Sequence, residues 1–321
     1  MEKFSNTDFE RSPDSTEEMN LLQTEQINPL TRNLDTMSTL EMVQTMNRLD
    51  REVPQKVGEE AAAIAQAIDM VVYHFKAGGR LIYAGAGTSG RLGILDASEC
   101  PPTFGVSPDL VSGIIAGGQD AVFKAMEGVE DREEQAVADL EARRLSAKDV
   151  VLAIASSGRT PYCIGALKYA AITGAGRIAL SCNKHALLSR YAEIVIEVES
   201  GPEIIMGSTR LKAGTAQKMV LNMISSLSMV KMGHVYQNLM VGTRGINQKL
   251  SRRVLRIFTE ATGNPDLEHA ARMLEAAGGV IKTAIVMELM SVSRKIAEQA
   301  LQNTNGYVRQ ALLYISGQQK R

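Results

Sequence analysis

Five short apolar runs stand between residues 81 and 198, at 81–84, 110–115, 149–154, 177–181 and 193–198. Stretches with helical character separate them, at 89–98, 119–144, 161–173 and 185–191. Runs this short that stay apolar are strands buried on both faces. Strands that alternate with helices build a parallel sheet covered on each side. The expected fold is therefore α/β, a doubly wound parallel five-stranded sheet. In such sheets ligands bind outside the carboxyl ends of the strands. The loops 85–90 and 155–160 both fall on that edge.

The flanks read differently. Residues 1–33 are polar and lack apolar periodicity, the mark of a mobile lead-in. Ser38 with Glu41 is a capping-box pattern, and Leu40, Val43 and Met46 recur as one helix face would. A second helix is expected over 57–76, ended by Gly78-Gly79. After the sheet comes a Met-rich helix over 212–232, a core or subunit-interface element. From Ser251 onward only helical pattern remains, punctuated by Asn264-Pro265 and Gly278-Gly279 into about three short helices. The domain reading is a polar, flexible lead-in over 1–20, an N-terminal segment and helices over 21–70, the sheet domain over 71–234, and a small all-helical subdomain over 251–321.

Charge and composition exclude several classes. The chain has 321 residues and a net charge of −1, so no basic field points to nucleic acid or to an anionic membrane. No apolar run approaches the roughly 20 residues of a membrane span. The N-terminus has no signal-peptide core, and a cytoplasmic location is expected. Cys100, Cys163 and Cys182 are odd in number and far apart, which reads as free thiols without disulfide or metal. The four histidines follow no ligand or triad spacing, and no serine sits in a G-x-S-x-G elbow.

The chemistry concentrates in three segments. Gly85-Ala-Gly-Thr-Ser-Gly90 links a strand to a helix; small residues and a helix N-terminus make an anion site. It fits G-x-G-x-x-G, but the second strand ends Ile114-Ile-Ala-Gly-Gly118 with no acid to hold a ribose. A nicotinamide cofactor is disfavoured, and no cofactor is expected. The following helix, 91–100, should stop at Pro101-Pro102 with Glu99 at its end. Ala155-Ser-Ser-Gly-Arg-Thr160 before Pro161 is a second donor-rich loop. Either loop alone is equally an ordinary capped turn; the pair on one sheet edge points to a phosphate.

The acidic run 126–134 reads as a solvated helix face, except that Gly128 offers a break that would turn Glu130 toward the sheet edge. Two carboxylates facing one pocket would form an acid/base pair. The third segment, Gly201 to Lys218, holds Ser208 and Thr209 as helix caps among Glu203, Arg210, Lys212 and Lys218. It is either a capped helix start with surface charge, or a set of cations and hydroxyls closing over a sugar phosphate.

Together these segments carry a resemblance. The two hydroxyl loops look like the sugar isomerase (SIS) domain, a phosphosugar-binding α/β fold. The run from Gly85 through Glu99-Cys-Pro-Pro-Thr-Phe-Gly105 closely resembles the N-acetylmuramic acid 6-phosphate etherases. Gly201 to Lys218 is similar to a signature those etherases share with the glucokinase regulatory proteins, and Thr24-Glu-Gln-Ile-Asn-Pro29 looks like the family's opening. The resemblance runs from about Leu22 to the C-terminus. It leaves only about 20 residues outside and implies that part of the lead-in is ordered.

The resemblance implies a cofactor-independent carbon–oxygen lyase. It would cleave the D-lactyl ether of N-acetylmuramic acid 6-phosphate to N-acetylglucosamine 6-phosphate and D-lactate, by elimination then water addition. Its setting would be amino-sugar catabolism and peptidoglycan recycling, and its state a homodimer. The family's catalytic glutamates fall on Glu99, assigned as the acid, and Glu130, assigned as the base. Phosphate binding falls on Thr88, Ser89, Ser157 and Thr160, with Ser208 and Lys212 as further substrate contacts. The C-terminal helices resemble the family's helical subdomain, with a role in the dimer or the neighbouring site. The alternative is a non-catalytic phosphosugar sensor of the glucokinase-regulatory type, although those proteins carry two such domains. An aldose–ketose isomerase would leave Cys100-Pro-Pro unexplained, and a transcriptional regulator would need a basic helix-turn-helix.

Overall fold

The computed structural model describes residues 22–242 and 248–319. The lead-in expected over 1–20 lies outside the described residues. Residues 22–36 are ordered as three 3-10 turns, Gln23–Glu25, Pro29–Thr31 and Leu34–Thr36. Helix α1 (Thr39–Asp50) starts at Ser38, whose side chain and backbone close a capping box with Glu41. Its inner face is Thr45 and Leu49, whereas Leu40 and Val43 are exposed. The three-residue apolar recurrence therefore marks the outer face. The helix expected over 57–76 is two: α2 (Val53–Glu59), begun by Pro54 in its first turn, and α3 (Ala61–Lys76). Gly78, at φ 79°, ends α3, and Gly79 N–H returns to His74 O.

The five strands fall within a residue or so of their expected bounds. They are β1 (Leu81–Gly85), β2 (Val111–Ile115), β3 (Val150–Ala155), β4 (Gly176–Ser181) and β5 (Ile194–Glu197). Their order in the sheet is β2-β1-β3-β4-β5. Strands β3, β4 and β5 pair in parallel, Ile154 opposite Leu180 and Leu180 opposite Ile196. The chain crosses from β1 outward to β2 and then returns to the other side of β1. The strand order thus reverses between β1 and β3, the place where sheets of this kind open a ligand crevice.

The connecting helices are α4 (Gly87–Phe104), α5 (Gly118–Phe123), α6 (Glu133–Ala142) and α7 (Pro161–Thr173). Two expectations fail here. Helix α4 does not stop at Pro101 and Pro102 but runs through both to Phe104. The fixed φ of proline is itself helical, so the helix continues through the pair despite two missing N–H donors and the crowding of each ring against the preceding turn. The helix closes at Gly105, at φ 68°, whose N–H returns to Pro101 O. The helix expected over 119–144 is broken into α5 and α6, with Gly128 at φ 73° in the gap. One sheet face is filled by Ile82, Ala84, Val151 and Ala153 against Leu140 of α6 and Cys163 and Leu167 of α7. A 3-10 turn, Leu187–Tyr191, replaces the helix expected at 185–191.

Helix α8 (Lys212–Lys231) leads into a two-residue-loop hairpin, β6 (Val235–Tyr236) and β7 (Leu239–Met240), too short to leave a periodic signal. Five helices follow where about three were expected: α9 (Gln248–Thr262), α10 (Leu267–Ala276), α11 (Ile281–Met290), α12 (Arg294–Asn303) and α13 (Val308–Gln319). The extra stops are left-handed Ser291, at φ 51°, and Asn305-Gly306. These helices bury Phe258, Ile285, Val286 and Ala300 in a core that also takes in Tyr236 of the hairpin and Val241 just after it.

The chain divides into two compact units. Of the described residues, one takes 22–67, 82–94 and 113–221, and the other takes 68–81, 95–112, 222–242 and 248–319. No helix among the described residues is long and apolar enough to cross a membrane.

Candidate active site

A cavity of about 330 Å³ opens at the strand-order reversal, lined by residues of both hydroxyl loops. From the first loop come Thr88 and Ser89, and from the second Ser156, Ser157 and Thr160. Helix α4 begins at Gly87, and Gly87, Thr88 and Ser89 of its first turn, where N–H groups have no intrahelical acceptors, line the cavity. The two outer glycines of the G-x-G-x-x-G spacing serve packing. A Cβ on Gly90 would come within 2.6 Å of Ile115 Cγ1, and one on Gly85 within 2.7 Å of Gly90 N. They let the loop lie flat on the strand ends, which a monophosphate site needs as much as a dinucleotide site does.

The loop hydroxyls differ in their commitments. Ser157 Oγ accepts from Arg159 N (3.2 Å), which leaves its own proton to give. Thr160 stands at the N-cap of α7 with no side-chain cap bond. Ser89 is buried and donates to Gln217 Oε1 (2.9 Å), and Gln217 Nε2 donates to Ser156 Oγ (2.8 Å). Gln217, fully buried on α8, therefore fastens one loop to the other. Asn183, just after β4, does the same for the N-terminal segment. Its Nδ2 donates to Ser156 O (2.9 Å) and to Thr24 Oγ1 (3.0 Å).

Glu130 lines the cavity. Its backbone is fixed by Tyr162 N–H, which donates to Glu130 O (2.9 Å) at the first turn of α7. The approach to it is held from Arg91, whose guanidinium donates to the carbonyls of Ala121 (2.7 Å), Val122 (3.0 Å) and Lys124 (2.9 Å). Gly128 supplies the left-handed residue that the turn between α5 and α6 requires.

Glu99 stands elsewhere. It lies on an exposed face of α4, outside the lining of this cavity. Ser208 is also outside that lining, while its neighbour Thr209 is in it. Lys212 is 2% exposed and lines a second cavity with Glu52, Lys56 and Glu199. Its Nζ donates to Pro202 O (3.4 Å) and faces Glu52 Oε2 at 3.8 Å. The first turn of α8 is capped by Glu203 instead of Ser208 or Thr209. Its carboxylate accepts from Lys212 N (2.8 Å) and Ala213 N (2.9 Å), and burial pushes its pKa up.

Thr209 lines the cavity, as the reading of its segment's hydroxyls closing over a sugar phosphate has it. Gln217, Asn183, Arg91 and Glu25 also act on or line the cavity, and sequence reasoning assigned none of these four. Gln217 and Thr209 lie inside the Gly201–Lys218 signature, and Glu25 inside Thr24–Pro29, so the signal was the motif and not the residue. Chemically, the arrangement is a cradle of hydroxyls and helix N–H groups for an anion, with a carboxylate positioned to move a proton beside it. Among the described residues no His, Cys, Asp and Glu side chains converge as a metal-ligand set.

Comparison with known proteins follows the same lines. Residues 63–171 match the glucokinase regulatory protein N-terminal SIS domain, and residues 131–227 match the SIS domain. An N-acetylmuramic acid 6-phosphate etherase of Exiguobacterium sp. is 55% identical over 291 residues, covering 91% of this chain and 99% of that one. One of Geobacillus sp. is 56% identical, covering 91% and 98%. One of Pectobacterium atrosepticum is 52% identical over 299 residues, covering 92% and 98%. Among solved structures, a phosphoheptose isomerase from Francisella tularensis aligns with a TM-score of 0.48 at 17% identity, over 60% of this chain and all of that one.

Proposed function

The chain belongs to the N-acetylmuramic acid 6-phosphate etherase family, and from that premise we propose how its residues carry the reaction. It is a carbon–oxygen lyase that converts N-acetylmuramic acid 6-phosphate and water to N-acetylglucosamine 6-phosphate and D-lactate. It serves amino-sugar catabolism and peptidoglycan recycling. The observation that carries the residue assignment is the single cavity in which Glu130 stands beside both hydroxyl loops.

The substrate phosphate is held by the hydroxyls of Thr88, Ser157 and Thr160 with the first-turn N–H groups of α4. Ser89, whose hydroxyl proton goes to Gln217, takes part through its backbone N–H. Holding that end places the sugar against Glu130. In the open-chain aldehyde, the carbon bearing the acetamido group loses its proton to Glu130. The electron pair forms a carbon–carbon double bond as the neighbouring carbon–oxygen bond breaks, and lactate departs with a proton from an acid. Water then adds across the double bond with the proton traffic reversed. Glu99 is assigned as the acid, an assignment that rests on its place in the family motif. Ser208 and Lys212 remain proposed substrate contacts on the same footing. A cytoplasmic homodimer, with a sheet domain over 71–234 and helical subdomain over 251–321, completes the proposal.

The test is turnover in deuterated water, with assay of D-lactate and of deuterium at the acetamido-bearing carbon. Glu130→Gln should lose both lactate release and exchange, by about 10²- to 10⁴-fold. Glu99→Gln should lose lactate release and keep some exchange. Exchange surviving in Glu130→Gln overturns the base assignment, and wild-type protein that releases no lactate overturns the etherase reading.

A further inference from the structure

The cavity holds a second carboxylate that the proposed mechanism does not use. Glu25 lines it together with Glu130, Thr209 and the two hydroxyl loops. It sits in the first 3-10 turn of the described chain, where its N–H donates to Leu22 O (3.0 Å). That turn is fixed on both sides. Thr24 is fully buried and bonded to Asn183, which also holds Ser156 O of the second loop. Gln23 Nε2 donates to Glu199 Oε1 (2.8 Å), Asn28 Nδ2 to Pro202 O (3.3 Å) and Thr31 Oγ1 to Ile204 O (2.9 Å). Facing it, Gly207 has no side chain, and a Cβ there would lie 3.1 Å from Glu25 Oε2.

The anchors spend long-range hydrogen bonds on a segment only a few residues long, and their effect is to hold Glu25 in one place. Its carboxylate has no hydrogen-bond or ion-pair partner among the described residues. An ionised carboxylate only accepts hydrogen bonds. It repels a phosphate and a lactyl carboxylate alike, so both charged ends of the substrate are excluded as its partners. What remains on an amino-sugar phosphate is its uncharged O–H and N–H donors.

We propose that Glu25 is a specificity-determining residue that accepts hydrogen bonds from the uncharged O–H or N–H donors of the bound amino sugar. The identity of that sugar rests on the etherase reading. Glu25 accordingly sorts hydroxylated sugar phosphates from other phosphate esters, while the hydroxyl loops hold the phosphate itself. These donors are present in substrate and product alike, so the contact contributes to binding more than to the barrier.

The experiment compares Glu25→Ala and Glu25→Gln with wild type, by steady-state kinetics and by calorimetric binding of N-acetylglucosamine 6-phosphate and of inorganic phosphate. Glu25→Ala should raise KM about 10- to 100-fold with kcat within about threefold. Affinity for N-acetylglucosamine 6-phosphate should fall by the same factor, and affinity for inorganic phosphate should hold or rise. Glu25→Gln, which keeps one acceptor oxygen, should fall between Ala and wild type. Unchanged sugar-phosphate binding overturns the proposal. So does a kcat collapse at constant KM, which would make Glu25 part of the chemistry, and so does an equal loss of inorganic phosphate, which would make it a prop for the loops. Calorimetry reads the ligand without turnover. A wild-type protein that releases no lactate therefore refutes the etherase reading without deciding this one.

Discussion

Gln217 carries more of the site than its single side chain suggests. Its amide accepts from Ser89 and donates to Ser156, so both of its ends are used within a fully buried setting. Gln217→Leu keeps the approximate size and strands two hydroxyls, at a cost of about 1 to 3 kcal/mol. The loops would also lose their mutual register. The expected outcome is a lower melting temperature together with weaker binding of inorganic phosphate, read by thermal melts and calorimetry on the same preparation. Gln217→Glu is a sharper variant. It keeps the acceptor for Ser89 but loses the donor for Ser156 and brings a negative charge beside the proposed phosphate site, so it should weaken phosphate more than Leu does. At this scale the sequence revealed residues whose chemistry is local. Thr88, Ser157 and Thr160 are visible as loop hydroxyls beside glycine and a helix start. Gln217 is not, because its partners lie 128 and 61 residues away and nothing in its neighbours encodes them. The same holds for Asn183, whose tie to Thr24 spans 159 residues.

The element that decides where Glu130, the proposed base, stands is the break between α5 and α6. Gly128 occupies the left-handed region in open space, with no atom within 4 Å of a Cβ placed there. A substitution is thus opposed by backbone conformation alone. Gly128→Ala should cost about 1 to 2 kcal/mol, and by shifting Glu130 it should reduce kcat by a larger factor than it reduces stability. Asparagine tolerates this conformation, so Gly128→Asn should recover most of both. Kinetics and chemical denaturation on the two variants make the test, and equal kcat losses in Ala and Asn would mean that the glycine serves something other than its φ. Ser38→Ala supplies a contrast. It removes the cap of α1 at about 1 kcal/mol and, standing outside the cavity lining, should leave KM unchanged. Gly128 was legible as a break, and Pro101-Pro102 was misread as one. The difference is physical: a left-handed glycine turns the chain, whereas proline's fixed φ is a helical one, so the pair weakens the last turn of α4 without ending it.

At the scale of the whole molecule, the sheet was legible because buried parallel strands are apolar throughout and bounded by polar turns. The C-terminal helices were undercounted because two of their stops rest on left-handed Ser291 and Asn305, non-glycine residues that rarely take that conformation, with no proline or glycine pair to mark them. The thiols offer a measurement across the molecule. Cys100 belongs to one compact unit, Cys163 and Cys182 to the other. All three are buried, and burial pushes each thiol up to about 12. At pH 8 the native protein should therefore resist alkylation, since the thiolate is the reactive form and access is closed. Labelling then reports opening of the surrounding structure. Strand β1 and helix α4 each run from one unit into the other, so neither unit can unfold without cutting an element of its neighbour. The three cysteines should become reactive at a single denaturant midpoint, as resolved by mass spectrometry of each labelled peptide. Cys100 labelling at a lower denaturant concentration than Cys163 and Cys182 would show that the two units unfold separately despite the elements they share.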